Sequence, residues 1–259
     1  MAKIVLAHGI LGFGSIFPNQ SIHYFNGIKS LYESLGHEVL CPTVAPLGSI
    51  EARAAQLEQQ ILELWPNSSA PLFALAHSMG GLDCRRVIAT SKKLEGQFKR
   101  FITVSTPHFG SPVADAVLSP LPLFTFSPLR WLAELFENNM GALNDLQSRD
   151  TLQDRDVDGV EYLCIGCDSS ALSTQAPLYA VTALTAGLLG VRDDGVVSLA
   201  SASKTNNPDH LWATWSSDHG GAIGWPSGGA GRELIEAKKA PPQEHLDRYR
   251  ELLPRLVLN

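Results

Sequence analysis

Short apolar runs alternate along the chain with longer stretches whose apolar positions recur every third or fourth residue. The short runs fall at about 3–7 (Lys-Ile-Val-Leu-Ala), 37–41 (His-Glu-Val-Leu-Cys), 72–76 (Leu-Phe-Ala-Leu-Ala), 100–105 (Arg-Phe-Ile-Thr-Val-Ser), 160–165 (Val-Glu-Tyr-Leu-Cys-Ile) and 211–215 (Leu-Trp-Ala-Thr-Trp). Several are apolar on both faces, as a parallel sheet covered by helices requires. Between them, residues 50–65 put Ile50, Ala54, Leu57, Ile61 and Leu64 on one helical stripe. Residues 24–35 and 79–90 read similarly, and Leu246, Tyr249, Leu253 and Leu256 mark a closing helix over 243–257. Strand–helix alternation predicts a mostly parallel, doubly wound α/β sheet of about six strands, with its site at the carboxyl ends of the strands.

Two stretches fit that pattern poorly. Residues 117–136 carry Leu121, Leu123, Phe124, Phe126, Leu129, Trp131 and Phe136, yet Pro120, Pro122 and Pro128 break any single helix. Residues 176–190 form a second uncharged segment with a helical pattern. Ordinary core packing is one reading of both; a lid over an apolar pocket is the other, because large apolar patches mark binding sites.

Composition narrows the class. The chain has 259 residues, a length that fits one domain over 1–259. Hydrophobic residues make up 44% against 18% charged, the opposite of the balance that keeps chains disordered. With a net charge of −6 and no basic tract, a nucleic-acid partner is not expected. No apolar run is long enough for a transmembrane anchor. The first strand begins at Lys3 without a signal-like apolar core, so the chain as it stands reads as cytoplasmic, as a mature form with its signal removed, or as exported by a signal-independent route, with cytoplasmic preferred. Cys164 and Cys167 form a C-x-x-C without a second ligand pair, so with Cys41 and Cys84 they read as small hydrophobes rather than as metal or redox groups.

The sharpest local signal is Leu72-Phe-Ala-Leu-Ala-His77-Ser78-Met79-Gly80-Gly81. A strand runs into small-x-Ser-x-Gly and then into a helix, the arrangement of a nucleophile elbow. The turn is so tight that residues two before and two after the serine must be small, and Ala76 and Gly80 are. A serine N-cap, the competing reading, needs no small residues on both sides. Attack by Ser78 on an ester carbonyl creates an oxyanion that needs two backbone N–H donors. Met79, at the helix start, supplies one. Ile10 supplies the other from the loop Ala7-His8-Gly9-Ile10-Leu11-Gly12-Phe13-Gly14, whose glycines let the backbone approach a ligand. Those glycines lack dinucleotide-loop spacing and no P-loop lysine follows. His8 reads as a brace for this loop, and His77 as a residue pointing away from the nucleophile.

Four blocks, residues 5–14, 76–85, 104–115 (Val-Ser-Thr-Pro-His-Phe-Gly-Ser-Pro-Val-Ala-Asp) and 193–198 (Asp-Asp-Gly-Val-Val-Ser), together resemble the bacterial true lipases of the α/β-hydrolase superfamily. The resemblance implies an α/β-hydrolase fold and a Ser-Asp-His triad acting on acylglycerols or other lipophilic esters. It also implies a lid over about 117–147 that touches a lipid interface transiently. Arg53 resembles a family arginine that supports the oxyanion loop.

In α/β-hydrolases the acid follows the nucleophile and the base comes last. Asp168, Asp193 and Asp194 are candidates for the acid; Asp168 sits straight after the 160–165 strand, while the resemblance favours Asp194, before Gly-x-Val. For the base the choice lies between His219, on the loop after the last strand and 25 residues after Asp194, and His245, in the closing helix. His219 is preferred. Many of these lipases hold calcium through an aspartate two residues past the base. That position is Gly221 after His219 and Asp247 after His245, so with His219 no metal or other cofactor is expected. The expected activity is ester hydrolysis through an acyl-enzyme on Ser78. An acyltransferase with the same triad and a non-catalytic lipid-binding scaffold are the alternatives.

Overall fold

A computed structural model describes residues 1–10, 24–66, 69–118, 141–149, 153–169, 192–203, 211–225, 236–237 and 239–257. Six strands form one sheet: β1 (Lys3–Ala7), β2 (Glu38–Leu40), β3 (Leu72–His77), β4 (Phe98–Val104), β5 (Glu161–Cys167) and β6 (Leu211–Trp215). Their order is β2-β1-β3-β4-β5-β6 and every neighbouring pair is parallel. The helices are α1 (Ile28–Ser34), α2 (Ile50–Leu64), α3 (Met79–Thr90), α4 (Pro112–Leu118), α5 (Gly141–Asp145), α6 (Leu199–Ala202) and α7 (Gln243–Leu256).

The alternation of side chains along each strand divides the core in two. Ile4 and Leu6 of β1, Phe73 and Leu75 of β3, and Ile102 and Val104 of β4 face one side, where Ile28 and Tyr32 of α1 and Tyr249, Leu252 and Leu256 of α7 cover them. Val5 and Ala7, Leu72, Ala74 and Ala76, and Phe98 and Phe101 face the other, under Ala54, Leu57 and Ile61 of α2 and Cys84, Val87 and Ile88 of α3. This two-sided burial is why the strands read as apolar runs. Cys84, Cys164 and Cys167 are buried and Cys41 is half-buried, and none of the four is in a disulfide.

The expected elements are present, with shifted bounds. α1 starts at Ile28 rather than 24, because Gly27 takes a left-handed φ of 76° that a helix cannot contain. β2 shrinks to three residues, the length over which it pairs with β1 at the sheet edge. β5 runs on to Cys167, paired there with Trp215 of β6. The proposed lid residues Leu121, Leu123, Phe124, Phe126 and Trp131, and the 176–190 segment, lie outside the described residues.

His245, the rival base, sits in the first turn of α7 and closes the fold. Its ring packs on Tyr249 at 4.8 Å, and its Nε2–H donates to the Asn26 carbonyl at 3.0 Å. The Asn26 amide in turn donates to the carbonyls of Gly224 and Ala237. Burial lowers the His245 pKa from 6.5 to about 4, with the Arg248 charge adding to the shift against the Asn26 hydrogen bond. Between those two values the unfolded chain binds a proton that the folded chain refuses, so this residue makes stability fall as pH falls. His245→Phe should flatten the dependence of unfolding free energy on pH in that window by up to one proton, about 1.4 kcal/mol per pH unit. Urea unfolding at several pH values from 7 down to 5 measures it.

Candidate active site

Ser78 sits where β3 ends and α3 begins, with no intervening loop. To turn within one residue it takes φ 54° and ψ −135°, a strained conformation for a residue with a Cβ. Its neighbours make room. A Cβ on Gly80 would strike the carbonyl oxygens of Ala7 and His8, and one on Gly81 would strike the Thr106 side chain. Ala76 lies opposite Ala7 and Thr103 in the sheet and is fully buried. Thr106 donates from Oγ1 to the Ser78 carbonyl at 2.9 Å and the Ser78 N–H donates to the Val104 carbonyl at 3.0 Å, so the strained residue is held from both ends.

His219 is on the loop after β6. Its Nε2 lies 3.0 Å from Ser78 Oγ and its Nδ1 2.8 Å from Asp194 Oδ2. The His219 backbone N–H also donates to the Asp194 carbonyl at 3.0 Å, which fixes the two loops against each other. Asp194 is fully buried. Its other oxygen, Oδ1, accepts the N–H groups of Val196 and Val197 at 2.9 and 2.8 Å, so the carboxylate has one orientation. Gly195 makes that turn possible at φ 95°.

The remaining sequence candidates are elsewhere. Asp193 turns its Oδ1 to the Gly195 N–H at 2.7 Å. Asp168 is paired with Arg192 through Oδ2 at 2.5 Å. His245 is the α7 residue already described, hydrogen-bonded to Asn26.

The two expected oxyanion donors converge through their side chains. Met79 opens α3, so its N–H has no intrahelical carbonyl to meet. Ile10 follows β1 in a turn, and its side chain packs on the apolar cluster that contains Met79, Leu82, Ala114, Ala142 and Leu143. Gly9 comes so near the serine that a Cβ there would lie 2.8 Å from Ser78 Cβ.

Arg53 of α2, fully buried, braces this loop. Its NH2 donates to the carbonyls of His8 and Gly9 at 2.8 and 3.3 Å, its NH1 to Ala45 O at 2.8 Å, and its Nε to Asp83 Oδ2 at 2.9 Å. Burial raises the Asp83 carboxyl to about 6 in spite of that partner. His8 fulfils the bracing role too: Nδ1–H donates to Gly9 O at 2.8 Å and Nε2 accepts from Val44 N at 3.2 Å. Burial lowers its pKa to about 4, so it is neutral. Sequence reading missed Asp83 and Thr106. Both act through contacts distant in the chain, and only the quoted motif blocks hinted at them.

His77 departs from expectation. Its side chain does leave the nucleophile's side of the strand, but its ring centroid lies 4.4 Å from that of His219, at 49°. Strand alternation turns residue 77 away from α3, and the loop carrying His219 folds over that same side.

Comparison with known proteins agrees with this architecture. The Bacillus licheniformis lipase BlEst2 in mature form superposes with a TM-score of 0.69 at 19% identity, over 99% of this chain and 92% of that one. A metagenomic carboxyl esterase gives 0.71 at 20% identity, over 98% and 75%. Staphylococcus hyicus lipase gives 0.64 at 14%, over 98% and 95%. The chain has the α/β-hydrolase fold of these bacterial lipases and esterases. In sequence, triacylglycerol lipase 2 of Saccharomyces cerevisiae is 39% identical over 102 residues, which is 38% of this chain and 31% of the yeast protein. The chain thus matches less than a third of that relative's length. No family model matches the chain.

Replacing Arg53 with Met would leave the Asp83 carboxylate buried without its cation, at a cost of about 3–5 kcal/mol. Because Asp83 already titrates near 6, the defect of Arg53→Met should be largest at pH 7 and smaller at pH 5, where a protonated Asp83 needs no counter-charge. Urea unfolding of wild type and variant at both pH values checks this.

Proposed function

We propose that the protein is a serine carboxylic-ester hydrolase acting on lipophilic esters. The observation that carries the reading is the unbroken chain Ser78 Oγ, His219 and Asp194, with its serine on a strained elbow at a helix N-terminus. In this scheme His219 Nε2 accepts the Ser78 proton as Oγ attacks the ester carbonyl. Asp194 holds the Nδ1–H tautomer and stabilises the imidazolium that forms. The N–H groups of Met79 and Ile10 receive the developing oxyanion. His219 then protonates the leaving alcohol, and water, activated by the same ring, releases the acid from the Ser78 ester.

What surrounds these groups supports the substrate class. The residue after Ser78, Met79, belongs to an apolar cluster with Leu82 and Leu143, against which Ile10 and Leu118 pack, and this supports an apolar acyl group on the serine. Leu118 leads into the segment whose sequence carries Leu121, Leu123, Phe124, Phe126 and Trp131, assigned here as a lid and as the surface meeting a lipid interface. Among the described residues no helix is long and apolar enough to cross a membrane, and no group of His, Cys, Asp or Glu residues could hold a metal ion.

A fluorophosphonate should label the wild-type protein at Ser78. Ser78→Ala should abolish labelling and lower kcat on p-nitrophenyl esters by several orders of magnitude, with a residue of rate left from the oxyanion donors. Near wild-type turnover in purified Ser78→Ala overturns the assignment. Across a p-nitrophenyl ester series, replacing Phe124 and Phe126 with Ala should lower long-chain activity more than short-chain activity; an equal loss on both speaks against the lid.

A further inference from the structure

We propose that the partly buried Tyr24 and the buried His77 form a positioning pair that ties the oxyanion loop to His219 and holds that ring in its working orientation. The inference rests on the ester-hydrolase reading of Ser78, His219 and Asp194.

Three contacts carry it. The Tyr24 hydroxyl lies 2.7 Å from His77 Nδ1. The His77 ring packs against His219 at 4.4 Å between centroids. On its other side the Tyr24 hydroxyl stands against Gly9, where it is the first atom a Cβ would meet, at 2.6 Å. Tyr24 is also tied to the base loop through its backbone, because the Trp225 indole donates to its carbonyl at 2.9 Å. One residue therefore touches the loop that carries the expected oxyanion donor, the residue preceding the nucleophile and the segment following the base.

Protonation fixes the direction of this chain. Burial raises the Tyr24 phenol above its ordinary value, so it keeps its proton. The Gly9 backbone N–H beside the phenol oxygen leaves the hydroxyl free to donate to His77. Burial, reinforced by the neighbouring His219, pushes the His77 imidazole well below its ordinary value, so the ring is neutral. In the proposed arrangement Nδ1 accepts from Tyr24 and the ring's own proton is on Nε2, which makes no hydrogen bond among the described residues. The other charged or titratable groups near the pair include His8, whose ring is 5.6 Å from that of Tyr24, Arg53, and the buried Tyr249, which keeps its proton. His8 is neutral and Arg53 is engaged with Asp83.

A His219 ring with two hydrogen bonds along one edge can still rock about that edge. The His77 ring, itself locked by Tyr24, closes one of its faces. A neutral neighbour is required there, because a second cation at this distance would oppose formation of the His219 imidazolium. The pair should thus act on the transition state and not on substrate binding.

The test uses Tyr24→Phe, which removes one oxygen, His77→Phe, which keeps a ring but removes the acceptor, and the double variant. Each single variant should lose about tenfold to a hundredfold in kcat with KM within about twofold, and the double variant should lose no more than the worse single one. Kinetics indistinguishable from wild type in folded Tyr24→Phe and His77→Phe overturn the proposal. So does a loss confined to KM, or one matched only by lower thermal stability. A second measurement needs no variant: nitrogen-15 imidazole spectra of wild type should show His77 as a neutral Nε2–H tautomer from pH 5 to 9. A titrating His77, or an Nδ1–H tautomer, overturns it. Failure of wild type to react with a fluorophosphonate would instead refute the hydrolase reading, so the two failures are separable.

Discussion

A helix must begin one residue after β3 ends, and the rest of the site is arranged around that demand. Ser78 at φ 54° bears the strain, and Ala7, Gly80, Gly81 and Thr106 are the residues whose size or hydrogen bonding makes it bearable. What the strain achieves is a serine held at a place where the backbone is already polarised. The serine oxygen stands at the positive end of α3, with the Met79 N–H pointing out of the helix.

The supporting loops solve a second problem, which is that polar backbone must be brought into a dry interior. The His8 carbonyl would lose its side-chain donor beneath the site if Arg53 did not reach it from α2, whereas the Gly9 carbonyl also receives the His8 Nδ1–H. That guanidinium needs a counter-charge, and Asp83 supplies it from α3, one and a half turns beyond the serine. The ion pair is a consequence of putting the loop there, and its partners come from three separate elements. On the opposite face of the sheet, neutral histidines do comparable work without charge.

The sheet was legible in the chain because its strands are apolar on both sides, and the elbow because its constraint is steric and local. Ala76, Ser78 and Gly80 have to be what they are within five consecutive residues. Chain order left Asp168, Asp193 and Asp194 open, and the family resemblance favoured Asp194; His219 was preferred for its open loop at Gly220 and Gly221 and its separation from Asp194, and the structure brings Asp194 to His219 and His219 to Ser78. The tyrosine at position 24 carried no such mark. It sits 53 residues from His77 and 201 from Trp225, and no periodicity connects them. Asp83 was hidden for a different reason: a buried carboxylate on an otherwise apolar helix face is explained only by an arginine 30 residues earlier. The start of α1 was misjudged because the apolar pattern continues through Gly27 while the backbone does not.

Ser78 and His219 are separated by 141 residues, and the sheet must be laid down through β6 before they meet. During synthesis the elbow residues are made well before His219. A serine in that condition is an ordinary alcohol, whatever its backbone angles. In the proposed ester-hydrolase reading the long connection acts as a delay, because a chain made only as far as β5 lacks the group that would take the serine proton.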